Sequence, residues 1–321
     1  MAHHDSLIDV FYRPELTASD AASNFSKSPT KPRRFVEWLA SSAMARAQAV
    51  RIREDFAPLE PRDFLVAHER DYVEGFFAGE APHASSNGLA WTPAFAETVR
   101  YTNASLLAAI TAACDRPSRI ALSPTSGFHH ATPSGGGGFC TFSGQVLAGL
   151  RLYRERGLRG AWLDLDGHFG NSIEDSRSFA PDLEAALPFN VNPGHTHSVY
   201  LADLEKSLYT VGQAVMRGEI DYVAFAHGAD SHEDDDLGGQ CTTREWLDAS
   251  RRVYSAVARW SERLGRPVPL ALALFGGYRR DDYDFVLRLH AADLAIGLDT
   301  LAGTRFAFDP ERRDERAGGA R

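Results

Sequence analysis

The sequence has few cysteines, no long apolar run and no excess of basic residues. Its three cysteines, Cys114, Cys140 and Cys241, include no Cys-x-x-Cys pair, which excludes a disulfide framework. No apolar stretch approaches the ~18–20 residues of a membrane span, and the N-terminus has no basic-then-apolar signal segment. We therefore expect a cytoplasmic protein without a membrane partner. The formal net charge of −9 argues against a nucleic-acid partner.

What the sequence does contain is an alternation of short apolar runs with longer amphipathic segments. The runs cover 119–123, 160–168, 187–192, 221–226 and 269–275, and the segments with helical periodicity include 95–114, 144–155, 200–218 and 243–264. This alternation predicts an α/β fold with a central parallel sheet flanked by helices. Because 321 residues with 44% apolar content are not interrupted by a linker, we expect one domain over 1–310 and a frayed tail over 311–321.

The run over 160–168 ends in Asp-x-Asp-x-His, which places Asp164, Asp166 and His168 on one face of an extended segment. Ligands of α/β proteins bind at the carboxyl ends of strands, and charged groups there are costly unless a cation compensates them. We predict that Asp166 and His168 bind a metal, with Asp235 as the third ligand. This thiolate-free set suits Zn²⁺, and Fe²⁺, Co²⁺ and Mn²⁺ fit the same donors. Asp164 either orients an imidazole or binds a second, monovalent cation.

Other polar residues follow the remaining strands. His129 and His130 are surface residues in the ordinary case, but beside a water molecule acidified by a metal they would act as general base and acid. Tyr278 follows two glycines, so its phenol is either a core group or a hydrogen-bond donor to a developing oxyanion. Phe139 is either a core aromatic or a wall of the substrate channel. The acidic run 233–236 either attracts a cationic substrate or is a solvated surface.

Taken together, six motifs in one order resemble the histone deacetylase and acetylpolyamine amidohydrolase family. They are Ser28-Pro-Thr-Lys-Pro-Arg-Arg34, Ala67-His68-Glu-Arg-Asp-Tyr72-Val, Gly127-Phe-His129-His130-Ala with Gly138-Phe139-Cys140, Leu163-Asp164-Leu-Asp166-Gly-His168-Phe-Gly-Asn171, Gly228-Ala-Asp230 through Asp235-Asp-Leu237-Gly-Gly239, and Phe275-Gly-Gly-Tyr278. The resemblance covers roughly residues 28–278. It implies a single arginase-like domain with the active site at the C-terminal ends of the strands.

The resemblance also implies a role for each matched residue. It assigns Zn²⁺ to Asp166, His168 and Asp235, and a potassium ion to Asp164 with the backbone carbonyls of Asp166 and His168. His129 and His130 become the acid–base pair, and Tyr278 polarises the substrate carbonyl. The remaining matched positions divide into substrate-binding and supporting residues. The substrate-binding residues are Gly138, Phe139, Asn192 and Gly277, and those that support the site are Arg34, Asn171 and Asp230.

Several positions depart from the family pattern. Ser28 replaces the opening histidine, Phe169 replaces the histidine that usually follows His168, and Asp236 replaces a proline. Asn171 occupies a position that is Asp in some members and Asn in others. Asn192 precedes Pro-Gly where an aromatic residue is common, and no residue before Trp91 clearly matches the family's substrate-gripping aspartate. These last two changes leave the chemistry intact but leave the substrate open.

The leading hypothesis is a zinc amidohydrolase that removes an acetyl or short acyl group from an amine. A small acylated amine, an acylated polyamine and acetyl-lysine all remain open as substrates. An arginase-like ureohydrolase would need ligands for a second divalent metal, which Phe169-Gly170 do not supply. A metal-dependent protein that binds acylated ligands without turnover is the alternative outside catalysis. The sequence does not decide acyl length, the physiological metal or whether the chain forms a homo-oligomer.

Overall fold

Parallel strands form one sheet at the centre of the molecule. The computed structural model describes residues 7–194, 196–306 and 308–311, and in this part of the chain the sheet has seven strands. They are β1 (Ile8–Phe11), β2 (Val50–Arg53), β3 (Ile120–Ser123), β4 (Gly160–Leu165), β5 (Phe189–Val191), β6 (Tyr222–Gly228) and β7 (Leu270–Phe275). Their order in space is β2-β1-β3-β7-β6-β4-β5. The predicted α/β fold is confirmed. Of the predicted tail, only Glu311 lies within the described residues.

Helices cover both faces of this sheet. They are α1 (Lys31–Ala40), α2 (Ala43–Arg46), α3 (Arg70–Ala78), α4 (Pro93–Asp115), α5 (Gly144–Arg156), α6 (Ser172–Ser176), α7 (Leu183–Ala186), α8 (His197–Met216), α9 (Thr243–Leu264) and α10 (Tyr283–Ala302). The leucines of β7 pack with α1, α8, α9 and α10, whereas Ala271, Ala273 and Phe275 pack with α3, α4, α5 and α7. Strand side chains alternate between the two faces, so β7 is apolar throughout because both faces are covered.

Local signals in the sequence explain where the long helices begin and end. Thr242 accepts a hydrogen bond from the backbone N–H of Glu245, and the Glu245 carboxylate accepts one from the N–H of Thr242. This capping box satisfies free backbone donors at the start of α9, and Gly265 in the left-handed region ends the helix. The predicted segment 243–264 is therefore confirmed with its bounds.

Two strands, β1 and β2, were not among the predicted runs. Strand β2 reads Val-Arg-Ile-Arg and lies at the edge of the sheet, where Ile52 is exposed and the strand has no continuous apolar run. Strand β1 carries Asp9, which is buried and therefore breaks the apolar pattern. Its carboxylate lies 2.8 Å from the guanidinium of Arg51 and 3.6 Å from that of Arg119. These cations compensate the buried charge, and the strand forms despite its composition.

The order of the strands determines where the site lies. The four central neighbours β3, β7, β6 and β4 are parallel, so their C-terminal ends meet along one edge of the sheet. The loops that leave these ends carry the residues predicted to do chemistry. Among the described residues, no helix is both long enough and apolar enough to cross a membrane.

Candidate active site

Four neighbouring strands deliver polar residues to one edge of the sheet. The loop between β3 and α5 carries two histidines, and the ends of β4, β6 and β7 carry carboxylates, a third histidine and a tyrosine. These residues are His129, His130, Asp164, Asp166, His168, Asp230, Asp235 and Tyr278. Ring contacts join three of the loops: the centroid of His168 lies 6.0 Å from that of His130 and 6.2 Å from that of Tyr278.

Three of these side chains form a cluster that could hold a metal ion. The ligand atoms of Asp166, His168 and Asp230 lie within 4.8 Å of one another. His168 Nδ1 lies 3.2 Å from Asp166 Oδ1 and 2.9 Å from Asp230 Oδ2. Asp235, the predicted third ligand, lies outside this cluster. Its carboxylate accepts hydrogen bonds from the backbone N–H groups of Tyr278 at 2.7 Å and Leu237 at 3.0 Å.

The charges of the cluster fit a divalent cation. Burial raises the pKa of Asp235 to about 6, and burial together with the negative charge of Asp166 raises the pKa of Asp230 to about 6. Hydrogen bonds to Asp166 and Asp230 raise the pKa of His168 to about 10. Raised pKa values for two carboxylates beside an imidazolium indicate that these acids are costly to ionise in this buried site, a cost that a divalent cation would offset. The donors are oxygen and imidazole nitrogen, which zinc accepts, so the residues present fit this metal.

His129 is held by the aspartate at the end of β4. Its Nδ1 lies 3.0 Å from Asp164 Oδ2, and its Nε2 lies 3.7 Å from Asp166 Oδ1. Burial alone would lower the pKa of His129, but the negative charges of Asp164 and Asp166 outweigh burial and raise it to about 9. Asp164 Oδ1 accepts a hydrogen bond from the N–H of Asp166. Asp164 thus contacts an imidazole, as one of its two predicted roles requires.

His130 has a neutral partner instead. Its Nδ1 lies 2.8 Å from Asn171 Oδ1, and the Asn171 amide nitrogen donates to Asp175 Oδ2 at 2.6 Å. Burial and the nearby charge of His129 lower the pKa of His130 to about 4. The two adjacent histidines, whose ring centroids are 4.1 Å apart, therefore differ in protonation: His129 is cationic at neutral pH and His130 is neutral.

Tyr278 is almost fully buried, and its ring centroid lies 5.8 Å from that of Phe139. Burial and the charge of Asp166 raise the pKa of Tyr278 well above its usual value, so the phenol stays protonated and can donate a hydrogen bond. The two residues before it, Gly276 and Gly277, have φ values of 48° and 97°. A Cβ on Gly276 would meet the carboxylate of Asp230, so only glycine allows this close approach.

The residues predicted to bind substrate lie in these loops or contact them. Phe139 has a φ of 65°, and its N–H donates to the carbonyl of Asn87 at 2.9 Å. A Cβ on Gly138 would lie 2.5 Å from the His130 ring, so this glycine makes room for the imidazole. Gly277 packs against Val286. Asn192 Oδ1 accepts a hydrogen bond from the N–H of Gly170 at 2.8 Å.

Three basic residues near the site were not predicted as functional. Lys31 is fully buried, and its Nζ donates to the carbonyl oxygens of Leu274 at 3.2 Å and Gly276. Burial lowers the pKa of Lys31 to about 8. The local sequence does not indicate that Lys31 is buried, because a lysine near two prolines is typical of an exposed loop. The predicted supporting residue Arg34 instead pairs with Asp284 at 3.1 Å, at the start of α10.

The other two are Arg279 and Arg280, which join the tyrosine loop to the acidic loop. Arg279 Nη1 lies 3.1 Å from Asp234 Oδ2, and Arg280 Nε lies 3.0 Å from Asp236 Oδ2. With the bond from the Tyr278 N–H to Asp235, residues 278–280 each contact one of the acids 234–236. We refer to these contacts as the loop clasp. They show that Asp234 and Asp236 of the acidic run are paired with arginines.

Comparisons with known proteins point to one family. A family model described as "Histone deacetylase domain" matches residues 26–184. "Histone deacetylase 10, chloroplastic" from Oryza sativa subsp. japonica is 27% identical over 263 residues, which cover 70% of this chain and 59% of that protein. "Histone deacetylase 14, chloroplastic" from Arabidopsis thaliana is 28% identical over 145 residues, 40% of this chain and 34% of that protein.

"Histone deacetylase 8" from Xenopus tropicalis is 36% identical over 76 residues, 24% of this chain and 20% of that protein. The chain thus spans between one fifth and about three fifths of the length of these relatives. The fold and the site define a deacetylase-like α/β protein. The family model and these relatives confirm the predicted resemblance to the histone deacetylase family.

Proposed function

We propose that this protein is a zinc-dependent amidohydrolase that removes an acetyl or short acyl group from an amine. The observation that carries the proposal is the pair of histidines, both held through Nδ1, beside the Asp166–His168 cluster and the buried hydroxyl of Tyr278. A protein that only binds acylated ligands would not need two differently charged imidazoles and a protonated phenol at one place.

Asp166 and His168 would hold the zinc ion, with Asp235 as the third ligand. Two arguments favour Asp235 over Asp230 as this ligand: the family motif, and the enclosure of the Asp230 side chain. Asp230 is completely buried, its Oδ1 accepts the Gly167 N–H at 3.0 Å, and a Cβ on Gly276 would meet its carboxylate. A zinc ion bound there would acidify a water molecule and polarise the acyl carbonyl.

The protein's own residues would supply the proton transfers. His130 is neutral and would accept a proton from the attacking water at Nε2, while the Tyr278 hydroxyl donates a hydrogen bond to the oxygen on which negative charge develops. His129 is cationic and would donate a proton to the departing amine. Asp164 would hold His129 in the orientation that this transfer needs. The potassium ion that the resemblance assigns to Asp164 stays a prediction, as does the cytoplasmic location.

The substrate class is an acylated amine. Phe139 would contact the acyl chain next to Tyr278, and the amide of Asn192 would make the opposite wall polar. Asn192 is already tied to the loop of His168 through Gly170, so it would shape that wall without closing it. Acetyl-lysine, acylated polyamines and smaller acylated amines fit this description equally.

Acetate release by zinc-loaded protein tests the proposal. The panel is an acetyl-lysine peptide, N-acetylputrescine and N-acetylspermidine, with a chelator-treated control. We expect chelator-sensitive turnover of at least one substrate. Tyr278→Phe should lower kcat by about 10²–10³-fold with little change in KM, which is the loss typical of one oxyanion donor.

Tyr283→Phe is the matched control for this experiment. It removes a buried hydroxyl, five residues further along, that has no hydrogen-bond partner among the described residues, so the variant should retain activity. No acetate release from any substrate, with one zinc ion bound per chain, would contradict the amidohydrolase and favour the protein that binds acylated ligands without turnover.

A further inference from the structure

The hydrogen bonds of His130 continue one residue beyond its direct partner. Asn171 lies at the start of α6, and Asp175 lies one helical turn later, where side chains at i and i+4 share a face. The Asn171 amide spans the two: its Oδ1 is 2.8 Å from His130 Nδ1, and its Nδ2 is 2.6 Å from Asp175 Oδ2. The side chain of Asn171 therefore faces His130 and Asp175, and it makes no capping hydrogen bond to α6.

The direction of each hydrogen bond in this chain follows from chemistry. An ionised carboxylate only accepts hydrogen bonds, so Asp175 requires the NH₂ end of the Asn171 amide. The carbonyl end of that amide then faces His130, and it too can only accept. His130 Nδ1 must therefore carry the ring proton, which leaves Nε2 unprotonated and able to accept one.

Without Asp175, the amide of Asn171 could turn over. Its NH₂ group would then donate to His130 Nδ1, and the ring proton would move to Nε2. In that tautomer Nε2 cannot act as a base. His129 does not share this ambiguity, because its partner Asp164 is itself a carboxylate and can only accept.

We propose that Asp175 is a positioning residue that fixes the tautomer of His130 through the amide of Asn171. The proposal rests on the proposed function, in which His130 Nε2 accepts the proton of the attacking water. It explains how a neutral asparagine can take the place of a carboxylate beside a catalytic histidine. The carboxylate that sets the proton is still present, but it lies one helical turn away.

Kinetics of four variants test the proposal. Asp175→Ala should lower kcat by about tenfold with KM unchanged, the scale of losing one hydrogen bond to a charged group. Asn171→Asp restores a partner that can only accept, so adding Asp175→Ala in that background should change kcat by less than about twofold. Glu184→Ala removes a comparable exposed charge from α7 and should leave kcat unchanged. An equal loss from Asp175→Ala in both backgrounds would overturn the proposal.

Nitrogen-15 NMR of the histidine rings gives a second test of the proposal, which does not depend on turnover. In the wild-type protein we expect His130 to carry its proton on Nδ1, and in Asp175→Ala we expect a substantial population with the proton on Nε2. A tautomer unchanged by the substitution would overturn the proposal. If the wild-type protein shows no deacetylation while the tautomer shifts as expected, then the proposed function fails and the positioning role of Asp175 stands.

Discussion

Asp230 and Asp235 lie five residues apart, and each is a candidate for the third ligand of the proposed metal site. Asp230 is the nearer to His168, but it is enclosed by backbone, whereas Asp235 is partly exposed and lies beside Tyr278. The position of Asp235 suits an ion that must also reach a substrate. The position of Asp230 suits a group that orients the His168 ring through Nδ1.

These two positions predict different losses of zinc affinity. Asp235→Asn should lower the affinity by more than about 100-fold, whereas Asp230→Asn should cost about 10–100-fold, as for residues that only orient a ligand. The measurement is a competition between protein and a chromophoric chelator for zinc, with circular dichroism as the control for folding. The reverse ranking would make Asp230 the ligand and Asp235 the supporting residue.

Individual residues could be predicted from the sequence where chemistry leaves a local pattern. The Asp-x-Asp-x-His run and the adjacent histidines are such patterns, and the structure brings Asp164, Asp166, His168, His129 and His130 together. Lys31 and Asp175 could not be predicted. Their roles come from contacts made in the folded chain, and neither residue type is unusual in its local sequence.

At the scale of elements, the buried side chain of His68 supports the loop between β3 and α5, which carries His129 and His130. It lies just before α3, and its Nδ1 is 2.9 Å from the carbonyl oxygen of Thr132, while its Nε2 accepts the N–H of Ser143 at 2.9 Å. It thus ties down both ends of the segment that carries Gly138 and Phe139. Accepting at one nitrogen and donating at the other requires the neutral ring, and burial lowers the pKa of His68 to about 4.

This pKa predicts a loss of stability in acid. In the unfolded chain His68 would bind a proton below about pH 6.5, whereas the folded state resists protonation down to about pH 4. The free energy of unfolding should therefore fall by up to about 3 kcal/mol as the pH drops from 6.5 to 4. The measurement is urea unfolding across this range. His68→Gln removes the titrating ring and should flatten that dependence; an equally steep fall in this variant would assign it to other groups.

Elements were predictable where their burial leaves a regular pattern in the sequence. Strand β7 and helix α9 have continuous apolar or amphipathic patterns, and both were predicted close to their observed bounds. Strands β1 and β2 were missed because buried Asp9 and the alternating arginines of β2 hide the strand pattern. Only the folded sheet brings Arg51 and Arg119 close enough to Asp9 to compensate it.

At the scale of the whole molecule, the site concentrates carboxylates at one edge of the sheet. Asp164, Asp166 and Asp230 are buried near one edge of the sheet. Metal binding to the folded state alone should therefore stabilise the entire domain. With zinc at about 100 times its Kd, the midpoint of thermal unfolding should rise by roughly 5 °C.

Scanning calorimetry with and without zinc measures this rise. Asp166→Ala removes a proposed ligand and should show no rise, which separates binding at the site from effects elsewhere. A wild-type protein that binds one zinc ion with no change in its unfolding midpoint would show that the site does not couple to the fold.

The loop clasp has a consequence for how this protein can change by mutation. Arg279 and Arg280 pair through their side chains with Asp234 and Asp236, so a substitution of any of these four residues removes a partner from the opposite loop. Arg280 and Asp236 should therefore vary together in any library or lineage descended from this chain. Variants with new specificity should arise more readily from Phe169, which is 61% exposed, than from residues on either side of the clasp.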